Sequence, residues 1–219
     1  MRNGEKLRKN LYQNKWEYNW KKENGIKLIK KIEKLKDCGI GRRFEKKTFF
    51  NFDRSKNLKA FEACRSYTKN FSQNKKEGRG LFLYGNVGTG KTHLVVAIVD
   101  RIARLYKDKI WDIRFTTGIN LISEIKASFT HNDGEKIIYD FKRVDLLVID
   151  DFGTHKTTDW TEEIFYSIVD WRYQQLKPLI ITTNLSLKDF REKNDERMIS
   201  RILEMCSGVK FTGKDHRIG

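Results

Sequence analysis

The stretch from residue 85 to residue 92, GNVGTGKT, constrains the fold more than any other part of the chain. It fits the pattern G-x-x-x-x-G-K-[ST] in full, with the apolar run Leu81–Tyr84 before it and a helical pattern over Thr92–Tyr106 after it. Glycines let backbone N–H groups converge on phosphate oxygens, and the N-terminus of the following helix favours the same anion. The sequence therefore predicts a phosphate-binding loop between a strand and a helix.

The last two residues of this loop are expected to contact ATP and Mg²⁺. Lys91 is expected to reach the β- and γ-phosphates, and the Thr92 hydroxyl is expected to ligate Mg²⁺. The residues predicted to bind the cofactor are Gly85, Asn86, Val87, Gly88, Thr89, Gly90, Lys91, Thr92 and His93.

Two acids follow a second apolar run. Asp150 and Asp151 come directly after Leu146–Ile149. Because ligands of open α/β sheets bind beyond the carboxyl ends of the strands, both side chains are expected beside the phosphate loop. Asp150 is predicted to bind Mg²⁺ and Asp151 to orient or activate the attacking water. An ordinary solvated strand end is the alternative, and the apolar run leading straight into paired acids favours the metal site.

Two further positions are candidates for catalysis. Asn184 follows the predicted strand Leu179–Thr183 and is predicted to hold the lytic water, although asparagine also starts turns and caps helices. Arg197 and Arg201 stand four residues apart on one predicted helical face. An arginine supplied to a neighbour's γ-phosphate accelerates hydrolysis, and a pair of solvated arginines is the alternative.

The rest of the sequence after about residue 53 alternates strand and helix patterns, which is typical of a parallel sheet with helices on both faces. Helices are predicted over Ile119–Phe129, Trp160–Gln175 and Ser200–Cys206, and strands over Trp111–Thr116 and Val209–Thr212. We therefore predict an α/β fold around a central parallel sheet.

The N-terminal part differs in composition. Residues 1–50 hold 16 Lys/Arg against 6 Asp/Glu, which is +10 of the formal net charge of +16. Tyr12, Trp16 and Trp20 recur at four-residue spacing, so short basic helices with one apolar stripe are predicted. Such a charge favours nucleic acid as a partner, and a solvated basic face is the alternative.

We divide the chain into three parts: a basic helical adaptor for a partner (1–38), a linker (39–52) and an ATPase domain (53–219). No apolar run reaches the roughly 20 residues needed to span a membrane, and no signal peptide is visible. The three cysteines lie far apart and predict neither a disulfide framework nor a zinc pair. We therefore expect a cytoplasmic protein without a membrane partner.

Taken together, these motifs resemble the DnaC/DnaI-type replicative helicase loaders, a branch of the AAA+ ATPases. The resemblance covers about residues 39–219. The stretches that carry it, in family order, are Gly39–Phe44, Lys47–Phe52, Tyr84–Leu94, Leu146–Gly153, Ile181–Leu185 and Arg197–Arg201.

The resemblance implies roles for individual residues. It assigns Lys91 and Thr92 to Walker A, Asp150 and Asp151 to Walker B, Asn184 to sensor 1, Arg201 to the arginine finger and Arg217 to sensor 2. The positions similar to those lining the family's single-stranded DNA path are Lys126, Phe129, Thr158 and Trp160. For the two aromatics, burial in the core is the alternative.

The implied fold is a three-layer AAA+ sandwich with a central parallel sheet, a truncated lid and a short helical N-terminal extension. The implied function is that of a helicase loader that uses ATP and Mg²⁺. It would form an ATP-dependent homo-oligomer, in which Arg201 of one protomer completes the site of the next. It would hold single-stranded DNA and deliver a replicative, hexameric DnaB-type helicase during the initiation of DNA replication.

Three other functions remain open. An IstB-like transposase helper ATPase acting on duplex DNA shares nearly the same motifs, and the linker Gly39–Phe44 favours the loader. A P-loop kinase of nucleosides or other small molecules would need neither the arginine pair nor the basic adaptor. A DNA-binding module with a vestigial loop would not need Lys91, Thr92 and Asp150 intact.

The sequence departs from the family at three points. Asp151 stands where many AAA+ proteins have glutamate, so a slower base is expected. The chain ends soon after Arg217, too early for a full helical lid. The N-terminal part lacks the cysteines of the zinc-bearing loaders and resembles a short adaptor of phage or mobile-element type.

Overall fold

The computed structural model describes residues 38–105, 112–130, 133–153, 158–213 and 215. Arg217 and all but the last residue of the predicted adaptor lie outside the described residues. The strands are β1 (Gly80–Gly85), β2 (Ile113–Thr117), β3 (Leu146–Asp150), β4 (Leu179–Thr183) and β5 (Cys206–Phe211). The helices are α1 (Leu58–Lys69), α2 (Phe71–Lys76), α3 (Lys91–Leu105), α4 (Gly118–Phe129), α5 (Gly134–Arg143), α6 (Asp159–Gln174), α7 (Leu187–Lys193) and α8 (Glu196–Met205).

The five strands form one parallel sheet in the order β2-β3-β4-β1-β5. This confirms the predicted α/β fold with a central parallel sheet. Successive side chains of a strand point to opposite faces, and both faces here are covered. Leu81, Val148 and Ile180 pack under α1, α2 and α3. Phe82 and Ile149 belong to the second core, which α4 to α8 cover. The result is three layers.

The sheet order separates the two strands that lead into the predicted site. β3, which carries Asp150, is not paired with β1, which leads into the phosphate loop; β4 lies between them. All five residues of β3 and all five of β4 are buried. The middle strand therefore stands between the two parts of the predicted site.

The predicted linker packs into the core. The backbone N–H of Phe115 on β2 donates to the Cys38 carbonyl at 2.6 Å. Ile40 and Phe52 are buried, in the same core as the α1–α3 side of the sheet. A Cβ on Gly39, whose φ is +88°, would lie 2.4 Å from the Phe115 carbonyl oxygen, so this close approach requires glycine. The predicted linker therefore begins against the edge strand β2 of the sheet.

Several element bounds differ from the predictions. β3 begins at Leu146, and the Val144 carbonyl before it accepts a hydrogen bond from the guanidinium of Arg172. α8 ends at Met205, and Cys206, predicted as helical, begins β5. None of the helices in the described part of the chain is long and apolar enough to cross a membrane.

Candidate nucleotide-binding and hydrolysis site

The phosphate loop connects β1 to α3, as the sequence predicts. Gly88 and Gly90 have φ values of +71° and +100°, a region that side chains rarely adopt. A Cβ on Gly90 would also lie 2.7 Å from Cε2 of Phe52. Thr89 is buried, and its hydroxyl donates to the Asn86 carbonyl at 2.7 Å, which fixes the curve of the loop. The turn therefore has no room for a side chain at Gly90, while Val87 at the tip of the loop is 45% exposed.

Lys91 begins α3 and turns its side chain back into the loop. Its ammonium group donates to the carbonyl oxygens of Gly85 and Asn86, both at 2.7 Å. The residue is only 6% exposed. The positive charge thus sits inside the arc of the loop, at the end of a helix whose N-terminus favours anions. A phosphate group bound by this loop would lie next to the positive charge of Lys91.

Thr92 and Asp150 meet across the space between α3 and β3. The Thr92 hydroxyl lies 3.2 Å and 3.0 Å from the two carboxylate oxygens of Asp150. Thr182 on β4 donates to Oδ1 of Asp150 at 2.6 Å. Burial raises the pKa of Asp150 because it disfavours the charged carboxylate, and the hydrogen bonds from Thr182 and Thr92 oppose this effect. A cation at this position would therefore relieve a real desolvation cost.

This pair fits Mg²⁺ in chemistry. Mg²⁺ prefers hard oxygen ligands and is commonly held by one or two protein groups together with substrate phosphates and water. Thr92 and Asp150 offer a hydroxyl and a carboxylate beside the phosphate loop. Within the described residues no group of three or more His, Cys, Asp or Glu side chains could hold a metal.

Asp151 and Asn184, the two residues predicted to act on the water, are in contact. The side-chain amide of Asn184 donates to Oδ1 of Asp151 at 2.5 Å. Asp151 has a φ of +54°, which is uncommon for a residue with a side chain and marks a tight turn after β3. Its N–H donates to the Thr182 hydroxyl at 2.9 Å. The structure therefore brings the two residues together next to Asp150.

His93 faces the linker. Its Nε2 lies 2.9 Å from the Thr48 carbonyl oxygen and 3.1 Å from Oδ1 of Asn51, and its ring meets Phe52 edge-on at 5.2 Å. Burial lowers the pKa of His93, so the neutral form is favoured. In this position His93 attaches the linker to the first turn of α3, immediately after Thr92.

Asn57 is a residue of the site that sequence reasoning missed. Its amide donates to the Thr89 carbonyl at 3.4 Å and to the Thr212 carbonyl at 3.1 Å, and its Oδ1 accepts the Thr212 N–H at 3.1 Å. It thereby joins the phosphate loop to the segment after β5. In the sequence Asn57 precedes a helix, where asparagine is an ordinary cap, so no local signal distinguishes it.

The segment after β5 crosses the phosphate loop. The Asn86 amide donates to the Gly213 carbonyl at 3.4 Å. Two residues later, the carboxylate of Asp215 lies against Gly88: a Cβ there would be 1.8 Å from Oδ1 of Asp215. The sequence did not predict an acid at this place, since the resemblance implies a role only for the nearby Arg217.

The predicted arginine finger is held by its own chain. Nε of Arg201 on α8 donates to Oδ1 of Asp170 on α6, and its guanidinium lies 5.2 Å from the Tyr166 ring and 5.7 Å from the Tyr173 ring. Arg197 pairs with Asp195 at 2.9 Å. Action on a neighbouring protomer thus stays a prediction for Arg201.

The four residues predicted to contact DNA lie together. The ammonium of Lys126, near the end of α4, is 5.6 Å from the centre of the Trp160 ring. Phe129 meets the same ring at 6.0 Å with an interplanar angle of 66°. The Thr158 hydroxyl caps α6 by accepting the Thr161 N–H at 3.4 Å. We call Lys126, Phe129, Thr158 and Trp160 the aromatic cluster; Phe129 is 46% exposed in it, so core burial is not its role.

A glycine loop that carries a buried lysine, with paired acids after a parallel strand of the same sheet, defines a P-loop ATPase, here one of the AAA+ type. Residues 43–208 match the model of the bacterial DnaA ATPase domain, and the chain belongs to that family.

The chain is similar to several proteins whose names refer to DNA replication. It is 31% identical to the uncharacterized protein YqaM of Bacillus subtilis over 87% of this chain and 63% of that protein. It is 25% identical to the replicative helicase loader DnaI of the same organism, over 73% of this chain and 54% of DnaI. A crystal structure of the DnaC helicase loader has 29% identity and a TM-score of 0.70, covering 78% of this chain and all of that one. The chain thus spans little more than half of the curated relatives' length.

Proposed function

We propose that this ATPase is a helicase loader. In this proposal it binds single-stranded DNA and, with ATP and Mg²⁺, delivers a replicative hexameric DnaB-type helicase when DNA replication begins in the cytoplasm. The observation that supports it most is the likeness to the DnaC loader, which extends over that protein's whole solved chain. The intact contact between Thr92 and Asp150 supports a working rather than a vestigial site.

The residues of the site suggest the order of events. Lys91 would exchange its two loop carbonyls for the β- and γ-phosphates, while Thr92 and Asp150 would hold Mg²⁺. Bound Mg²⁺ would neutralise charge that develops on the phosphates. Asp151 and Asn184, already joined, would orient the water. Arg201 would leave Asp170 to complete the site of the next protomer.

The aromatic cluster is the proposed DNA contact. An exposed aromatic ring offers a base a stacking surface, and the ammonium of Lys126 offers a phosphate a charge. Replacing Phe129 by alanine removes the more exposed ring and leaves Trp160 in place. Since stacking contributes about 1–3 kcal/mol per base, binding of an oligo-dT strand should weaken roughly 5- to 150-fold. Tyr139→Ala is the matched control, because that ring is 54% exposed on α5 outside the aromatic cluster.

Fluorescence anisotropy with labelled single-stranded and duplex DNA tests this contact. We expect single strands to bind better than duplex, and Phe129→Ala to weaken single-strand binding while Tyr139→Ala does not. Equal loss in both variants would reject the cluster as the DNA site. A preference for duplex would instead favour the transposase helper.

Co-purification with a replicative hexameric helicase tests delivery. The full chain should retain the helicase in the presence of ATP, and Lys91→Ala should change this dependence on nucleotide. Deletion of residues 1–37 tests the predicted adaptor. It keeps Cys38, whose carbonyl accepts a hydrogen bond from Phe115 on β2. We expect the shortened chain to bind ATP but not the helicase. If the shortened chain still captures the helicase, the adaptor assignment is wrong.

A further inference from the structure

One hydroxyl group touches both acids of the site. Thr182 on β4 is only 1% exposed. Its Oγ1 donates to Oδ1 of Asp150 at 2.6 Å and accepts the backbone N–H of Asp151 at 2.9 Å. A hydroxyl has one proton to donate, and here that proton is directed to the carboxylate while a lone pair receives the N–H. The side chain therefore links the predicted metal ligand to the turn that carries the predicted water-orienting acid.

The neighbouring threonine makes a different kind of contact. Thr183 is also fully buried, but its hydroxyl accepts the N–H of Leu185, two residues further along its own chain. The hydrogen bonds of Thr182 reach residues 31 and 32 positions away. A β-branched side chain suits either position of a buried strand. Strand packing alone accordingly does not account for a hydroxyl at Thr182.

We propose that Thr182 is a positioning residue for ATP hydrolysis, because its hydroxyl orients the carboxylate of Asp150 and fixes the turn at Asp151. Oδ2 of Asp150, which Thr182 does not hold, lies 3.0 Å from the Thr92 hydroxyl, on the side of the predicted Mg²⁺ site. This inference rests on the proposed role of Asp150 as the Mg²⁺ ligand.

The same hydrogen bond supports the turn after β3. Asp151 occupies the left-handed region, a conformation that persists only where its surroundings hold it. The N–H bond to Thr182 and the side-chain bond to Asn184 restrain the two ends of this residue. Loss of the first bond would let the backbone relax and turn the carboxylate away from its place. Thr182 thus affects both acids, although the hydrogen bonds of its hydroxyl reach neither the phosphate loop nor Lys91.

Thr182→Val tests the proposal, since valine has the same shape and no hydroxyl. Loss of a group that orients a metal ligand typically costs about 10- to 100-fold in metal affinity or activity. We expect a fall of that size in kcat and a matching rise in the Mg²⁺ concentration needed for half-maximal activity. Binding of a fluorescent ATP analogue without Mg²⁺ should stay within about twofold of the unmodified protein, because the loop and Lys91 are unchanged.

A second readout does not depend on turnover. With a non-hydrolysable ATP analogue bound, Mg²⁺ should raise the melting temperature, and Thr182→Val should shift this titration to higher Mg²⁺. Thr182→Ser should restore both readouts, since serine keeps the hydroxyl. If the valine variant does not fold, Thr182→Cys takes its place, because a thiol is a weaker donor of similar size.

Thr183→Val is the matched control, as it removes a buried hydroxyl one residue away. We expect it to leave the Mg²⁺ titrations unchanged. The proposal is overturned if Thr182→Val titrates like the unmodified protein, if Thr183→Val shifts the titration equally, or if Thr182→Ser behaves like the valine variant. Asp150→Asn distinguishes a failure of this proposal from a failure of the proposed metal site. If Asp150→Asn keeps the full response to Mg²⁺, the proposed metal site itself is wrong, whatever Thr182 does.

Discussion

The carboxylate of Asp215 should weaken the binding of ATP, and its removal gives a sharp test of the phosphate loop. The acid is half-buried beside Gly88, where a Cβ would lie 1.8 Å from its Oδ1. The N–H groups of a phosphate loop hold their anion at about 3 Å. A bound phosphate would consequently lie roughly 5 Å from this carboxylate unless the segment after β5 moves away.

The size of the effect follows from Coulomb's law. Two like charges about 5 Å apart repel by ~1 kcal/mol in water and ~3 kcal/mol at the effective dielectric constant of a protein surface. Because Asp215 is partly exposed, solvent screening favours the lower part of this range, about 1–2 kcal/mol. Asp215→Asn, which keeps the shape and removes the charge, should therefore bind ATP roughly 5- to 30-fold more tightly.

Titration of a fluorescent ATP analogue at low and high salt measures this. The difference between Asp215→Asn and the unmodified protein should shrink at about 1 M salt, where the Debye length is ~3 Å. Asp133→Asn is the control for net charge, since Asp133 is exposed and its side chain does not cap α5. Equal or weaker binding of ATP by Asp215→Asn would refute the reasoning. The carboxylate would then either contact the nucleotide directly or move away from the loop when ATP binds.

Three further predictions concern the site. Lys91→Ala should weaken ATP binding about 10- to 150-fold, because a hydrogen bond to a charged group contributes ~1.5–3 kcal/mol; calorimetry that shows unchanged affinity would contradict the assignment. Burial raises the pKa of Asp150 above 3.8, so the folded state binds this proton more tightly and loses stability as pH rises through the acid range. Asp150→Asn should accordingly melt at a higher temperature than the unmodified protein at pH 7, with a smaller advantage near pH 4. Arg201→Ala should bind ATP normally yet lose the hydrolysis that assembly stimulates, and equal stimulated rates in both proteins would reject the finger.

Local patterns predicted much of the site. The glycine loop with its flanking strand and helix, and the acids that end β3, depend on residues that are adjacent in sequence. These features can be predicted from a strand and the residues that follow it in the sequence. The contact between Asp151 and Asn184 was not predicted, but it agrees with their positions, since each lies just after a parallel strand of one sheet.

We did not predict four of the helices that the structure describes, α1, α2, α5 and α7. α7 has only seven residues and is recognisable chiefly by its Ser186 cap. α1 carries Phe61, Cys64 and Tyr67 on one helical face, but we predicted no helix there, and α2 has only six residues. Helices as short as α2 and α7 depend on tertiary packing for their stability.

Contacts between distant parts of the chain were out of reach. Asn57 and Thr212 are 155 residues apart, and nothing near either residue indicates the other. The role of Thr182 depends on β4 lying between β1 and β3. The order of strands in a sheet cannot be predicted from the residues of any single strand. A threonine in a buried strand otherwise looks like a residue of high β-propensity.

The docked linker gives the molecule a direct mechanical connection between two distant places. At one end, Cys38 is hydrogen-bonded to the edge strand β2; at the other, Phe52 and Asn57 touch the glycine loop. A rearrangement of that loop on binding ATP would therefore displace the linker and change the position of residue 38, without any change in the sheet. Whatever is attached ahead of residue 38 would in this way sense the nucleotide, and tension on it would in turn alter how tightly the nucleotide is held.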